Sequence, residues 1–80
     1  MPRYFFDIDD GRRNIIDDDG HEVLGPEAAR DEALALLPAF AREALTGDGS
    51  RDVVVTVRNA AGDVVYTATM TLRSTWLKPS

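Results

Sequence analysis

The chain has 80 residues, a net charge of −5 and no cysteine. Without cysteine there is no disulfide, thiol catalysis, iron–sulfur cluster or cysteine-ligated zinc, and the composition favours a reducing compartment. No cationic leader is followed by an apolar stretch, and every apolar run is far shorter than the ~20 residues that span a membrane. We therefore predict a cytoplasmic protein with one domain over residues 1–80, in which residues 1–73 form the folded core and residues 74–80 a tail.

The charge distribution argues against nucleic-acid binding. Half of the acidic residues, seven of 14, lie before residue 23, where they repel phosphate. Arg12 and Arg13, with Tyr4 and Phe5 nearby in sequence, resemble a basic and aromatic nucleic-acid surface, but the flanking aspartates oppose it. The other basic residues are dispersed along the chain. We predict that the protein binds neither nucleic acid nor membrane.

An alternating pattern predicts a hairpin at the amino-terminal end. In residues 3–9 every second residue is large and apolar, as in a strand with one buried face. The Asp-Gly pair at residues 10–11 predicts a turn, and residues 14–16 can return as a short second strand. Residues 17–20, with three aspartates and a glycine, predict a second turn.

A single helix follows this hairpin. Pro26 suits the first helical position, and the helix is predicted to run to about Leu45, where Gly47 can provide the left-handed cap. Apolar residues recur at helical spacing along one face. Pro38 removes one helical hydrogen bond and clashes with the Leu34 carbonyl, which predicts either a kinked helix or two short helices. We favour the kink because the apolar face continues past the proline.

A second hairpin completes the predicted fold. Residues 52–58 and 64–72 alternate as two strands, and Gly62 lies in the loop between them. The predicted order is β-β-α-β-β. The fold class is therefore α+β, with two layers in which one kinked helix packs on an antiparallel sheet.

One helix can cover only one face of a sheet, so the opposite face, here called the far face, needs an explanation. Strict alternation places Phe5, Val54 and Val65 on the far face beside several threonines. This face can be a solvated surface, it can pack against a second copy in a homodimer, or the tail with Trp76 and Leu77 can fold over it. We predict Phe5, Val54, Val65 and Trp76 as interaction residues, since tryptophan is enriched in interface hot spots.

The acidic turn is the candidate metal site. Its carboxylates are hard oxygen ligands that suit calcium or magnesium, and they belong to Asp17, Asp18, Asp19 and Glu22. The EF-hand pattern fails here, because placing Gly20 at its sixth position puts Ile15 at the first and Pro26 at the twelfth. The cluster is otherwise explained as a solvated turn.

No catalytic or cofactor-binding constellation is evident in the sequence. His21 is the one histidine, and nothing in the spacing selects a serine that it could activate. The glycines at residues 47 and 49 follow a helix instead of opening one, and they lack the lysine of a phosphate-binding loop. We predict no catalytic residue, no cofactor and no enzymatic activity.

Two family resemblances extend this interpretation. The opening string at residues 1–7, the Asp19-Gly20 turn, the helical segment at residues 27–34 and the strand at residues 55–57 with Gly62 resemble an uncharacterised family of small bacterial proteins, a domain of unknown function. That resemblance implies no activity, cofactor or site residue. The aromatic first strand and the helix segment at residues 31–34 also resemble HicB-type antitoxin domains, from which the chain departs by lacking a full third strand before the helix.

Three functions therefore compete. The leading hypothesis is a non-catalytic interaction module that self-associates through the face or edge of its sheet. The second is an antitoxin-like regulatory domain that binds a small basic protein through its acidic end. The third is a divalent-metal binder at the acidic turn.

Overall fold

The structure is a computed structural model, and it describes residues 1–44 and 51–78. In chain order the elements are β1 (Arg3–Asp9), β2 (Asn14–Ile15), β3 (His21–Glu22), α1 (Pro26–Ala44), β4 (Arg51–Arg58) and β5 (Val64–Leu72). The strands pair antiparallel in one five-stranded sheet. The predicted class, an α+β fold with one helix and an antiparallel sheet, is confirmed.

The predicted element order lacks one short strand. Gly20 has a φ of 72° and turns the chain back toward β1, so that His21 pairs with Tyr4. The amide of Val23 extends this pairing by donating to the Pro2 carbonyl over 3.1 Å. The order is therefore β-β-β-α-β-β, and a third strand of two residues does precede the helix.

The sheet has the order β2-β1-β4-β5, and β3 also pairs with β1. The amide of Phe6 donates to the Asp17 side chain, away from β4. Amides point to the same side at every second residue of a strand, so β2 and β3 lie along the same edge of β1. The central pair of strands thus comes from the two halves of the chain, with Phe6 opposite Val57.

The core lies between α1 and the sheet, and α1 packs mainly on β4 and β5. Three positions of the helix, each four residues apart, face the sheet and are buried: Ala29, Ala33 and Leu37. Alternation predicts nine strand residues on the helix side, and the six of them in β1 and β4 are buried, namely Tyr4, Phe6, Ile8, Val53, Val55 and Val57. Tyr66 and Ala68 are half-buried against this core, whereas Met70 lies at its outer margin.

Pro38 lies inside one continuous helix, so the alternative of two short helices is wrong. Pro38 and Leu34 are both on the exposed side of α1, where water can bind the carbonyl that the proline leaves unpaired. The predicted helix end near Leu45 and Gly47, and the following loop, lie outside the described residues. Within those residues, no helix is both long and apolar enough to cross a membrane.

The far face is left uncovered by the helix. Phe5 and Val54 are half-buried and Val65 is exposed, so none of the three belongs to the core. Trp76 is 80% exposed and Leu77 is 92% exposed, so the tail does not fold over this face. A regular ladder would place Val65 opposite Arg58, but a register shift at Val57/Arg58 places Val64 there instead.

Replacing Gly20 with alanine should destabilise the fold more than the same change at Gly11. Both glycines have positive φ, which costs a residue with a Cβ about 1–2 kcal/mol. A Cβ at Gly20 would in addition lie 2.9 Å from the Tyr4 carbonyl and 2.9 Å from the Phe5 ring, whereas Gly11 faces open space. Chemical denaturation of Gly20→Ala and Gly11→Ala measures the difference, and equal losses of unfolding free energy would contradict this role of Gly20.

Candidate functional site

The edge of β1 that faces away from β4 is covered by β2, β3 and one side chain. Between β2 and β3 the chain leaves β1, and the Asp17 carboxylate occupies the gap. Asp17 Oδ2 accepts a hydrogen bond from the Phe6 amide over 3.0 Å, and the Asp17 amide donates to Asp7 Oδ1 over 3.0 Å. The first bond satisfies a backbone amide of β1 that would otherwise lie unpaired at a sheet edge, and the second ties the Asp17 backbone to a side chain of β1.

The same carboxylate also shapes the turn that follows it. Asp17 Oδ1 accepts from the amides of Asp19 over 3.1 Å and Gly20 over 2.9 Å, which is the geometry of an Asx turn. Partial burial by itself would raise the pKa of Asp17, but the amides of Gly20, Phe6 and Asp19 outweigh burial and hold this pKa below its ordinary value. Asp17 is therefore a structural anion.

Arg58, the last residue of β4, connects this turn to the second half of the chain. Its Nε and Nη2 donate to the two carboxylate oxygens of Asp7 over 2.7 Å and 3.0 Å, and Nη2 also donates to the Asp17 carbonyl over 3.1 Å. The guanidinium lies 5.1 Å from the centre of the Phe5 ring, a cation–π contact. The bidentate bond to Arg58 lowers the pKa of Asp7, and Asp7 in turn raises the pKa of Arg58.

A third aspartate organises the first hairpin. Asp10 is 7% exposed, and its Oδ1 accepts from the amides of Arg13 over 2.7 Å and Arg12 over 2.9 Å. These two amides lower the pKa of Asp10. Asp9 similarly accepts from the Gly11 amide over 2.9 Å. Most of the acidic side chains before the helix thus accept hydrogen bonds that stabilise the chain's turns.

The predicted metal residues are not brought together as a ligand set. Both oxygens of Asp17 accept backbone hydrogen bonds, while Asp18 and Asp19 are exposed. Glu22 pairs across the strands with Arg3 over 3.2 Å. Within residues 1–44 and 51–78, no three His, Cys, Asp or Glu residues are placed to hold a metal ion.

His21 belongs to β3, and its side chain lies on the helix side of the sheet. Its ring centre is 5.8 Å from that of Phe6, and its Nδ1 is 3.4 Å from a carboxylate oxygen of Glu32 on α1. Neither neighbour is a nucleophile of the kind that a catalytic histidine activates. The geometry instead joins β3 to the helix.

The predicted interaction residues are dispersed. Phe5 and Val54 lie on the far face of β1 and β4, and the Arg58 guanidinium covers the Phe5 ring. Val65 lies at the hairpin end of β5, whereas Trp76 follows the other end of that strand. The far face is therefore interrupted by charge between its apolar residues.

The structure reveals an open sheet edge that the sequence analysis did not single out. Among the described residues β5 pairs only with β4, so the outer backbone groups along Val64–Leu72 have no strand beside them. The nine residues of β5 include neither a charged residue nor a proline. That composition was the signal that the sequence offered, whereas the place of β5 at the end of the sheet came only from the structure.

Replacing Asp17 with alanine should destabilise the fold, whereas the same change at Asp18 should have little effect. Asp17→Ala leaves three backbone amides without their acceptor, and at about 1 kcal/mol each we expect a loss of roughly 2–3 kcal/mol of unfolding free energy. Asp18 is exposed and serves as the matched control. Urea denaturation measures both, and equal stability of the two variants would refute the role assigned to Asp17.

The lowered pKa values of Asp7, Asp10 and Asp17 predict acid sensitivity. The stability that these carboxylates provide is fully present above the unfolded-chain pKa of about 3.9, and it is lost as the pH falls through the lower native values. Asp7→Asn removes one contribution, so its Tm should lie below that of the unaltered chain near neutral pH and approach it in acid. Thermal melts across this pH range measure the effect, with Asp31→Asn on α1 as the control. If the difference in Tm between the unaltered chain and Asp7→Asn stayed constant with pH, this prediction would be contradicted.

Comparison with known proteins places the chain in a family. The family model described as Domain of unknown function (DUF6894) matches residues 3–71, which is most of the chain, and the chain belongs to this family. Neither the curated proteins nor the solved structures yield a match.

Proposed function

We propose that this chain, a member of a domain family of unknown function, is a non-catalytic interaction module that self-associates through its sheet. Strand β5 pairs antiparallel with β5 of a second copy, which joins the two sheets into one. The observation that carries the proposal is the contrast between the two edges of the sheet.

One edge is protected and the other is not. The outer edge of β1 is covered by β2, β3 and the Asp17 carboxylate. Along β5, none of the usual protections of an edge, a charge, a proline or a covering segment, lies beside the middle of the strand in the described residues. An uncharged strand of nine residues is long enough to form a continuous ladder with a copy of itself.

Side chains on the helix side of β5 support the same mode of association. Met70 is 38% exposed and Leu72 is 36% exposed, so both leave apolar surface at the outer margin of the sheet. An antiparallel pair of β5 strands related by a two-fold axis would bring these margins together. A domain of this size has a thin core, so it gains stability from apolar area buried by association.

Stacking of two far faces is the competing mode of self-association. It would bury Phe5, Val54 and Val65, but it would also bury the Asp7–Arg58 ion pair that lies among them. Removing charges from water is costly even when they are paired. Edge pairing leaves that ion pair in contact with solvent, and for this reason we place the interface at β5.

The two alternative functions have less support. An antitoxin-like domain that binds a basic protein needs free negative charge, but Asp7, Asp10 and Asp17 are bound to Arg58 and to backbone amides. Metal binding at the acidic turn needs convergent carboxylates, and Asp17 already uses both of its oxygens. Exposed Asp18 and Asp19 retain some capacity for either role.

Lysines on β5 should weaken self-association through this edge. In Met70→Lys/Leu72→Lys two charges stand on the helix side of the open edge, where they oppose pairing with a second copy. Size-exclusion chromatography with light scattering should show a dimer for the unaltered chain and a dissociation constant raised about ten-fold or more in the variant. Circular dichroism checks that the variant remains folded.

Two further variants make this experiment decisive. Ala35→Lys/Ala39→Lys adds the same charge on the exposed side of α1 and should leave the dimer intact. Val54→Lys places one charge on the far face, and edge pairing should tolerate it. If Val54→Lys lost the dimer and Met70→Lys/Leu72→Lys retained it, the interface would lie on the far face and edge pairing would be refuted. A monomer for the unaltered chain would refute both edge pairing and stacking of the far faces.

A further inference from the structure

A groove of about 370 Å³ opens between α1 and the first hairpin, at the edge of the sheet opposite β5. We call it the β2 groove and define it by four apolar residues that line it: Ile15, Ile16, Leu36 and Phe40. Ile15 is 39% exposed and Ile16 is 53% exposed, while Leu36 and Phe40 are half-buried. The helix packs mainly on β4 and β5, so the apolar surface beside β2 remains open to a ligand.

The β2 groove has an acidic rim. Asp17, Asp18 and Asp19 all line it. The Asp17 carboxylate is turned to the backbone of β1 and its own turn, but the side chains of Asp18 and Asp19 are exposed. An apolar floor beside free carboxylates suits an apolar side chain that is followed or preceded by a cation.

The tail of this chain has that chemistry. Trp76 and Leu77 are adjacent and almost fully exposed, and they lie between two cations, Arg73 and Lys78. Lys78 is the single lysine of the chain, and it follows the apolar pair directly. We propose that Trp76 and Leu77 of one copy dock in the β2 groove of a second copy, with Lys78 beside Asp18 and Asp19.

The dimensions of the sheet favour a second copy over the same chain. β5 and β2 are three strand spacings apart, about 14 Å. The two strands are also offset along their length. Leu72 lies opposite Arg51 and Ile8 lies opposite Val55, and Arg51 and Val55 are four residues, about 13 Å, apart on β4. Trp76 follows Leu72 by four residues, which span at most about 14 Å, so its backbone falls about 6 Å short of β2 even when fully extended. In the structure Trp76 is 80% exposed and Leu77 is 92% exposed, so neither occupies the groove of its own chain.

Reciprocal exchange would close the assembly, because each copy offers one tail and one groove. The contact is separate from the pairing of β5 strands, since the groove lies at the other edge of the sheet. Docking of the tail can therefore be tested independently of β5 pairing, and the experiment below distinguishes these two contacts.

Trp76 is the single tryptophan of the chain, so its fluorescence reports directly on docking. In a concentration series up to about 1 mM, the emission maximum of the full chain should move to shorter wavelength and quenching by acrylamide should weaken as the tail docks. Ile16→Lys should raise the midpoint of this change about ten-fold or more. Leu24→Lys is the matched control, because Leu24 is exposed, lies outside the β2 groove and should leave the midpoint unchanged.

Two more measurements assign the contact. Lys78→Asp should weaken docking, and adding Asp18→Lys should restore it in part, because the charges are then exchanged. The emission change should persist in Met70→Lys/Leu72→Lys, which removes only the β5 interface. An emission maximum that stays constant with concentration, or that shifts equally in Ile16→Lys and Leu24→Lys, would overturn the proposal.

Discussion

The fold of the amino-terminal half depends on the hydrogen bonds that join Asp7, Asp17 and Arg58. Arg58, near the end of β4, holds the Asp7 carboxylate and the Asp17 carbonyl together. Asp17 in turn binds the Phe6 amide and closes the turn that leads into β3. This network replaces the strand pairing that β1 lacks between β2 and β3, and it fastens an irregular segment to a regular sheet.

The network also changes how the negative charge of the protein is understood. A cluster of aspartates in the sequence resembles a surface for cations or basic partners. In the structure Asp7, Asp10 and Asp17 accept hydrogen bonds from backbone amides. These bonds, and the bond from Arg58 to Asp7, lower the pKa values of the three carboxylates. The charge that remains free, on Asp18 and Asp19, lies on the rim of an apolar groove.

Apolar side chains are distributed over more surfaces than one helix can cover. The core takes the helix side of the central strands, and the far face retains Val54 and also Phe5, whose ring is covered by the Arg58 guanidinium. The outer margin of β5, the β2 groove and the tail remain exposed. This distribution is typical of a chain that completes its burial by association, and it motivates the two contacts proposed here.

Local patterns were sufficient to predict the hairpins, the helix and the buried residues. Alternation along β1 and β4 identifies the core residues without knowledge of strand order, because neighbouring side chains in a strand point to opposite faces. Pro26 marks the start of α1 in the same local way. These features depend on residues a few positions apart.

Tertiary structure decided the features that depend on distant residues. The pairing of Asp7 with Arg58 spans 51 positions, and the order β2-β1-β4-β5 and the register shift near Val65 depend on the same long-range pairing. β3 has two polar residues, no alternation to reveal it, and depends on Gly20 and Asp17 to reach β1. The sequence by itself determined which faces are apolar, and only the folded chain decided which of them the helix and its own turns could cover.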